Sequence, residues 1–317
     1  MIFLALQDLK WKAIKLISKP NIDFKKNYKI VRIFQTFRHF HGKKSENAID
    51  YMCYYDNHTI LVRVYTPKKK NFDFTVLFFH GGGFIAGDID SYDAFCDTFC
   101  SQLGVFVVSV DYRLAPEHPF PQGLKDCYFI YDMLLRLPFS LGLPKQKIGL
   151  LGDSAGANLC ASLSLYLRDK KHLLPSFQIL LYPCLNSDYS KNSPYLSVFE
   201  NGKNYILTSQ HMEEYISLYM NSNEDLKSPY FAPLNAKNYK NQPDTFLVTA
   251  QFDPLRDEAL EYGKRLEKGK NRVIIHCVSN VCHGFFADNP ESKEAEEIFD
   301  LLRQFLGSDQ FAKKKIF

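Results

Sequence analysis

The chain has 317 residues, and 46% of them are hydrophobic, which is enough for a large core. The net charge of +4 is small, and no stripe of basic residues with interleaved aromatic residues is present, so nucleic-acid binding is not expected. No segment reaches the roughly 20 apolar residues that cross a bilayer, so stable membrane insertion is not expected either. The apolar run at residues 1–6 is too short for the core of a signal peptide, and we expect a cytoplasmic protein.

Eight cysteines are scattered along the chain without the paired spacing of a metal site. Cys96 and Cys100 lie four residues apart, but no second pair accompanies them. Several of the cysteines fall inside apolar patterns, as small buried side chains do. We therefore expect thiols in a reducing compartment and no bound metal, although an even number of cysteines also permits disulfides.

Two amphipathic helices are predicted within residues 1–45. The first covers 4–17 and ends before Pro20, and the second covers 30–40. Basic residues on the polar side would permit contact with a membrane surface. Packing over the rest of the protein is the more common role of such helices, and it is the favoured interpretation.

Strands and helices alternate through most of the remaining chain. A hairpin comes first, with turn residues at 56–58, and a run at 75–79 is apolar from its second residue on, as in a strand buried on both faces. The predicted strands are 49–55, 60–65, 75–79, 105–110, 148–151, 177–182, 245–249 and 273–278. The predicted helices are 122–137, 157–168, 209–220, 256–267 and 291–305. This alternation predicts a mostly parallel sheet with helices on both faces and the hairpin as an antiparallel edge.

About sixty residues between Cys184 and Asp244 interrupt the alternation. They contain one predicted helix, and its flanks are rich in Asn, Ser, Tyr and Pro. A long insertion in a compact domain commonly has a function or forms a subdomain. We assign residues 1–45 and 186–241 to a cap, and the remainder, 46–185 and 242–317, to the main α/β domain.

The segment Gly152-Asp153-Ser154-Ala155-Gly156 lies between a predicted strand and a predicted helix. Small neighbours allow a serine to occupy a very tight strand-to-helix turn, the nucleophile elbow. Such a turn holds the Ser154 hydroxyl above the sheet edge, at the positive end of the helix. Short motifs recur by chance, but the position of this one between a strand and a helix strengthens the interpretation.

A serine hydroxyl becomes a good nucleophile only when a neighbouring base takes its proton. Four of the nine histidines follow Ser154, and His283 alone comes in the loop after the final predicted strand, where a side chain can reach over the sheet edge. The acid that orients the imidazole is expected in the loop after the preceding strand. Asp253 comes first in that loop. Asp257 and Glu258 fall in the first helical turn, where acids often only complement the helix dipole, so Asp253 is preferred.

The sequence His-Gly-Gly-Gly-Phe starts at His80, directly after a buried strand. Its glycines would let backbone N–H groups approach a substrate oxygen, as in the glycine loop of lipases and esterases. Gly82 and Gly83, together with Ala155 from the elbow, are the expected donors to an oxyanion. His80 and Gly81 are expected to support this loop. A phosphate-binding loop is the competing interpretation, but the Gly-Lys-Ser/Thr ending and the dinucleotide spacing are missing.

Together the motifs resemble the hormone-sensitive-lipase-like group of α/β-hydrolases, in the bacterial esterase branch that has a two-part cap. The matching segments start at His80, Asp111, Gly152, Asp253 and His283, and read HGGGF, DYRLAPEHPFP, GDSAG, DPLRD and HGF. The resemblance implies an α/β-hydrolase fold with a mostly parallel eight-stranded sheet and a helical cap, part of it inserted between the sixth and seventh strands. It also implies a triad of Ser154, Asp253 and His283 that hydrolyses carboxylic esters, usually with short acyl chains.

Two details of these motifs concern structure rather than chemistry. Ala157 stands where many relatives have a glycine after the elbow, and an alanine is compatible with the start of a helix. Arg113 and Glu117 are interpreted as structural, and we expect them to pair beneath the glycine loop.

The resulting prediction is a serine carboxylesterase that acts on short-chain or aromatic esters through an acyl-enzyme, without a metal or an organic cofactor. Aromatic cap residues favour aromatic leaving groups, unless they only form a small core of the cap; they are Tyr195, Phe199, Tyr205, Tyr215 and Tyr219. Two alternatives remain open: a deacetylase or amidase acting on acetylated small molecules, and a ligand-binding homologue that has lost catalysis. The sequence leaves open the physiological substrate and the oligomeric state, a homodimer included.

Overall fold

A computed structural model of the protein describes residues 24–39, 44–145 and 147–307. The strands in these ranges are β1 (Ala48–Tyr55), β2 (His58–Tyr65), β3 (Phe74–Phe79), β4 (Phe106–Asp111), β5 (Lys147–Asp153), β6 (Phe177–Leu181), β7 (Asp244–Phe252) and β8 (Val273–Cys282). The helices are α1 (Phe24–His39), α2 (Asp93–Leu103), α3 (Gln122–Arg136), α4 (Ala155–Asp169), α5 (Ser197–Glu200), α6 (Ser209–Tyr219), α7 (Arg256–Lys268), α8 (Phe285–Asp288) and α9 (Lys293–Leu306). The first predicted helix, at 4–17, lies outside the described residues.

The eight strands form one sheet in the order β1-β2-β4-β3-β5-β6-β7-β8. The pairs β1–β2 and β2–β4 are antiparallel, and all other pairs are parallel. The prediction of a mostly parallel sheet with the hairpin at its antiparallel edge is confirmed. Since β4 and β5 lie on opposite sides of β3, the strand order reverses at β3. Open α/β sheets commonly bind ligands at the carboxyl ends of the strands beside such a point.

Both faces of the sheet are covered by helices, which explains why every position of β3 is buried and all but Thr75 are apolar. Val76 and Phe78 belong to a hydrophobic cluster that includes residues of α2 and α9. Leu77 and Phe79 belong to a second cluster with residues of α3 and α4. Because successive side chains of a strand point to opposite faces, a strand between two helical layers buries all of them.

The sequence patterns did not predict helix α2. Its N-cap residue, Tyr92, makes no side-chain capping bond, so the usual start signal is absent from the sequence. The spacing of Cys96 and Cys100 reflects the buried face of this helix, where both thiols pack among apolar side chains. All eight cysteines are free thiols.

Helix α1 packs on the main domain through Arg32. Its guanidinium donates hydrogen bonds to the backbone oxygens of Ile85 at 2.6 Å and Ala115 at 3.0 Å. The same group forms an ion pair with Glu117 at 2.7 Å. The expected pair between Arg113 and Glu117 is therefore wrong, because the partner of Glu117 comes from α1, which is distant in the sequence.

Arg113 instead binds Asp126, a fully buried carboxylate of α3. The guanidinium donates from two nitrogens at 2.7 and 2.9 Å, and the Arg113 backbone N–H donates at 3.0 Å. His58 contributes a further contact at 3.1 Å. This cluster fastens the loop after β4 to α3 and to the opening hairpin.

Replacing Asp126 with alanine is expected to lower the free energy of unfolding by about 3 kcal/mol, because a half-buried guanidinium loses its carboxylate partner. Urea denaturation followed by circular dichroism would measure the loss. Turnover per folded molecule should stay at the wild-type level. A variant as stable as the wild type would show that the pair contributes nothing.

The insertion between β6 and β7 carries α5 and α6 and lies against the glycine loop. The Tyr219 ring of α6 stacks on Phe84 with centroids 3.8 Å apart, and it also stacks on Phe231 within the insertion. Tyr215 is buried one turn earlier in α6. Among the described helices, none has the length and apolar character needed to cross a membrane.

Candidate active site

Ser154 occupies the sharp turn between β5 and α4. Its backbone has a φ of 53° and a ψ of −116°, a conformation that costs a non-glycine residue about 1–3 kcal/mol. The turn is possible because glycines flank it closely. A Cβ on Gly156 would meet the backbone oxygen of Phe79, and a Cβ on Gly152 would meet the backbone of Gly156.

His283 follows β8 and reaches back over the sheet edge to Ser154. Its Nε2 lies 2.8 Å from the Oγ of Ser154, and its Nδ1 lies 2.7 Å from a carboxylate oxygen of Asp253. A carboxylate only accepts, so we assign the ring proton to Nδ1, which leaves Nε2 to accept the serine proton. Residues that are 129 and 30 positions apart in the sequence thus form one continuous hydrogen-bonded series.

The loop after β7 brings Asp253, rather than Asp257, to the histidine. The second carboxylate oxygen of Asp253 accepts the backbone N–H of Leu255 at 2.9 Å, which fixes the side chain in its buried position. Asp257 points to the insertion between β6 and β7 instead, where it accepts the backbone N–H of Ser197 at 2.8 Å, and it also binds Arg256 at 2.9 Å.

The glycine loop has a backbone that side chains larger than hydrogen would disrupt. Gly82 has a φ of 111° and Gly83 a φ of 62°, both in the region that favours glycine. A Cβ on Gly82 would meet the backbone oxygen of Ala86, and a Cβ on Gly83 would lie 2.6 Å from the Tyr215 ring. Ala155 opens α4, and the first backbone N–H groups of a helix have no intrahelical acceptor.

His80 supports this loop from within the core. Its Nδ1 donates to the Gly81 oxygen at 2.8 Å, and its ring stacks on Tyr112 with centroids 4.4 Å apart. The Tyr112 hydroxyl donates to the His80 backbone oxygen at 2.6 Å. Burial lowers the pKa of the His80 ring to about 4, so the imidazole stays neutral near pH 7.

Replacing Gly82 with alanine is expected to lower kcat by about 100-fold, because the methyl group displaces the loop that carries the expected oxyanion donors. Turnover of p-nitrophenyl butyrate measures the effect. Gly142 offers a matched control, since it also has a positive φ of 67° but follows the turn Pro138–Leu141, outside the site described above. The G142A variant should lose stability and keep its kcat. Equal kcat values for G82A and the wild type would contradict the prediction.

Three further residues near the site were missed by the sequence analysis. Asp153 was noted only as part of the elbow, yet its carboxylate accepts the Gly81 N–H at 2.7 Å and the Tyr92 hydroxyl at 3.1 Å. Burial raises the pKa of Asp153 to about 7. The Tyr182 ring contacts the His283 ring edge-on, with centroids 4.9 Å apart. The position of Asp153 beside the nucleophile was a usable signal, whereas Tyr92 and Tyr182 carry no motif of their own.

Glu258 joins the first turn of α7, which follows the loop of Asp253, to the start of the insertion between β6 and β7. One of its carboxylate oxygens accepts the Leu185 N–H at 2.6 Å and the Tyr189 hydroxyl at 2.9 Å. Burial raises the pKa of Glu258 to about 8, even though these donors favour the ionised form.

The raised pKa of Glu258 implies that the free energy of unfolding depends on pH. A carboxyl group with a folded pKa above its unfolded value stabilises the protein at low pH, and this contribution disappears as the pH rises through the folded pKa. Between pH 4.5 and about 8 the wild type should therefore lose stability relative to Glu258→Gln, by about 1.4 kcal/mol per pH unit. Urea denaturation of both proteins across this range measures the difference. A difference independent of pH would contradict the raised pKa.

A serine, a histidine and an aspartate that are hydrogen-bonded in series at the carboxyl edge of a mostly parallel sheet, beside a glycine loop, are the arrangement of an α/β-hydrolase. The chain belongs to the α/β hydrolase fold family, whose sequence profile matches residues 76–287. Within it, the chain is a member of the hormone-sensitive-lipase-like group and a carboxylic ester hydrolase.

Several proteins of known activity are similar to the chain. An ethyl acetate hydrolase of Pseudomonas putida is 31% identical over 79% of this chain and 80% of its own length. An arylesterase of Saccharolobus solfataricus is 33% identical over 75% of this chain and 77% of its own length. The solved structure of a hyperthermophilic esterase from Pyrobaculum calidifontis is 30% identical, with a TM-score of 0.83, and covers 97% of this chain and 98% of that one.

Proposed function

We propose that this carboxylesterase uses Ser154 as its nucleophile, His283 as its general base and acid, and Asp253 to orient the imidazole. The observation that carries the proposal is the hydrogen-bonded series from Ser154 Oγ through both ring nitrogens of His283 to Asp253, at 2.8 and 2.7 Å. Each contact is short enough for direct proton transfer or for holding one tautomer of the ring.

In the first half of the reaction, the Oγ of Ser154 attacks the ester carbonyl carbon while its proton passes to the Nε2 of His283. The tetrahedral intermediate collapses, and the alcohol leaves with that proton, so the acyl group remains on the serine. In the second half, water attacks the acyl-serine and gives its proton to Nε2. Release of the carboxylic acid returns the proton to Ser154, and Asp253 stabilises the imidazolium in both halves.

The oxyanion of both intermediates would be bound by the backbone N–H groups of Gly82, Gly83 and Ala155. Two positions support this proposed role. The glycine loop comes directly after β3, and Ala155 directly follows Ser154 at the start of α4. Fixed backbone donors stabilise developing charge strongly because they need no reorganisation during the reaction.

The preferred substrates are proposed to be esters with short acyl chains or aromatic alcohols. Tyr215 of the cap packs directly on Gly83, so bulky rings border the site on the oxyanion side. The similar enzymes named for ethyl acetate and for aryl esters fit the same substrate class. The aromatic residues of the cap give weaker support, since the Tyr219 and Tyr205 rings stack on Phe84 and Phe252 as part of the protein's own packing.

A fluorophosphonate probe and a series of nitrophenyl esters together test this proposal. Mass spectrometry should locate the probe on Ser154, and kcat/KM should fall from acetate and butyrate towards octanoate and laurate. Labelling of another residue would contradict the assigned nucleophile. Labelled protein without turnover of any ester would favour the ligand-binding alternative, and turnover of nitroacetanilide above that of the esters would favour an amidase.

The cellular compartment and the oligomeric state belong to the same proposal. We place the enzyme in the cytoplasm, which its eight free thiols support, because a reducing compartment keeps thiols unpaired. A homodimer would have the edge strands β1 and β8 as candidate pairing surfaces. Cell fractionation tests the first statement, and sedimentation at twice the mass of one chain tests the second.

A further inference from the structure

The carboxylate of Asp153 connects the nucleophile elbow to the glycine loop. Asp153 is the residue before Ser154, and only 3% of it is exposed. One carboxylate oxygen accepts the backbone N–H of Gly81 at 2.7 Å, and the other accepts the hydroxyl of Tyr92 at 3.1 Å. The residue is thus bonded covalently to the nucleophile and through a charge-assisted hydrogen bond to the segment that carries the oxyanion donors.

The contact between Asp153 and Gly81 is tightly fitted. A Cβ on Gly81 would lie 2.6 Å from the Oδ2 of Asp153 and 2.9 Å from the hydroxyl oxygen of Tyr92. A larger residue at position 81 would displace the carboxylate or the Tyr92 hydroxyl, so the glycine lets both groups approach this backbone. The first glycine of the loop therefore serves the Asp153 contact, while Gly82 and Gly83 serve the site itself.

Other hydrogen bonds fix the neighbouring peptide groups of the loop. The Tyr112 hydroxyl donates to the His80 backbone oxygen at 2.6 Å, and the His80 ring donates to the Gly81 oxygen at 2.8 Å. The Ala86 N–H donates to the Gly82 oxygen at 3.0 Å. These contacts stabilise the shape of the loop, but their donors come from outside the elbow. The Asp153 contact differs because it sets the position of the loop relative to the nucleophile.

We propose that Asp153 is a positioning residue for the oxyanion hole. Its carboxylate sets the separation between the Ser154 hydroxyl and the backbone donors of Gly82 and Gly83, so that both act on the same substrate carbonyl. A loop displaced by even a fraction of an ångström would still admit the ester, but it would bind the tetrahedral oxyanion less well. The inference rests on the proposed function of these donors.

The test compares Asp153→Ala with Asp126→Ala, a matched loss of another buried carboxylate whose partners are Arg113 and His58. Steady-state kinetics with p-nitrophenyl butyrate at a pH of about 8.5, above the raised pKa, give kcat and KM for the mainly ionised carboxylate. A trifluoromethyl ketone supplies a second measurement. Ser154 adds to its carbonyl and passes the proton to His283, and the resulting oxyanion occupies the same backbone donors.

D153A is expected to lower kcat by about 10- to 100-fold, while KM changes by less than about threefold. The inhibition constant of the ketone should rise by the same factor as kcat falls. Asp153→Asn should recover most of the loss, because its amide oxygen can accept the Gly81 N–H and its amide nitrogen can donate to Tyr92. D126A should lose stability but keep its kcat and its affinity for the ketone.

Three results would overturn the proposal: unchanged kcat in folded D153A, a fall in kcat without weaker ketone binding, or a rise in KM as large as the fall in kcat. If D153A does not fold, Asp153→Ser replaces it under the same criteria. A fall in kcat of more than about tenfold in folded D153N, with unchanged affinity for the ketone, also overturns the proposal. The proposed function fails in a different way. In that case the wild type lacks esterase activity, or Ser154→Ala keeps it.

Discussion

Replacing Ser154 with alanine is expected to lower kcat on p-nitrophenyl butyrate by about 10⁴- to 10⁶-fold. The Oγ of Ser154 is the atom that would carry the acyl group, and it lies 2.8 Å from the base that would take its proton. Without it, only the proposed backbone donors and substrate binding can contribute, which leaves a small residual rate. Steady-state assays of both proteins, with active-site titration of the wild type, would measure the ratio of the two kcat values.

A matched control is available in the helix that follows. Ser162 is buried in α4, and its hydroxyl donates to the Asn158 side chain at 3.1 Å. The S162A variant should therefore keep kcat within about threefold of the wild type. If S154A retained most of its activity after purification from a host whose own esterases had been inactivated, the assigned nucleophile would be wrong.

Replacing Asp253 with asparagine is expected to lower kcat by about 10³- to 10⁴-fold. The carboxylate accepts the Nδ1 proton of His283 at 2.7 Å, and an amide in its place can donate to that nitrogen and stabilise the wrong ring tautomer. Because the substitution preserves size, the fold and KM should change little. Turnover of p-nitrophenyl butyrate by the two proteins, at equal concentrations of folded enzyme, provides the measurement.

Asp257 supplies the control for this substitution, because the sequence offered it as a second candidate four residues later. Its carboxylate accepts the Ser197 backbone N–H and pairs with Arg256, and so it fastens the cap to the loop after β7. D257N should keep kcat within a few fold of the wild type. A larger loss of kcat in D257N than in D253N would show that Asp253 is not the residue that orients His283.

Much of the candidate site could be selected from the sequence because its residues follow strands that the sequence also reveals. Ser154, Asp253 and His283 each lie just beyond a predicted strand, and parallel strands bring their carboxyl ends to one edge. The structure brings the three side chains within hydrogen-bonding distance, while their catalytic roles stay predictions. The glycine loop was recognisable for the same reason, since it follows the strand that is apolar at all positions but Thr75.

Other contacts required knowledge of which elements lie side by side. No sequence pattern indicated a contact between Gly81 and Asp153, which are 72 residues apart, or between Arg32 and Glu117, which are 85 apart. Helix α2 was missed because Tyr92 provides no capping signal, although the helix packs well in the folded protein.

Local sequence patterns therefore predicted the eight strands, the longer helices other than α2, the mostly parallel sheet and the residues at its carboxyl edge. These features follow from hydrophobic periodicity, from turn chemistry and from the conformational freedom of glycine, all of which act over a few neighbouring residues. Only the folded structure shows which acidic group pairs with each basic group, and which carboxylate binds the glycine loop. Such partners are chosen by the crossing of distant segments in a close-packed interior, and no local pattern encodes that geometry.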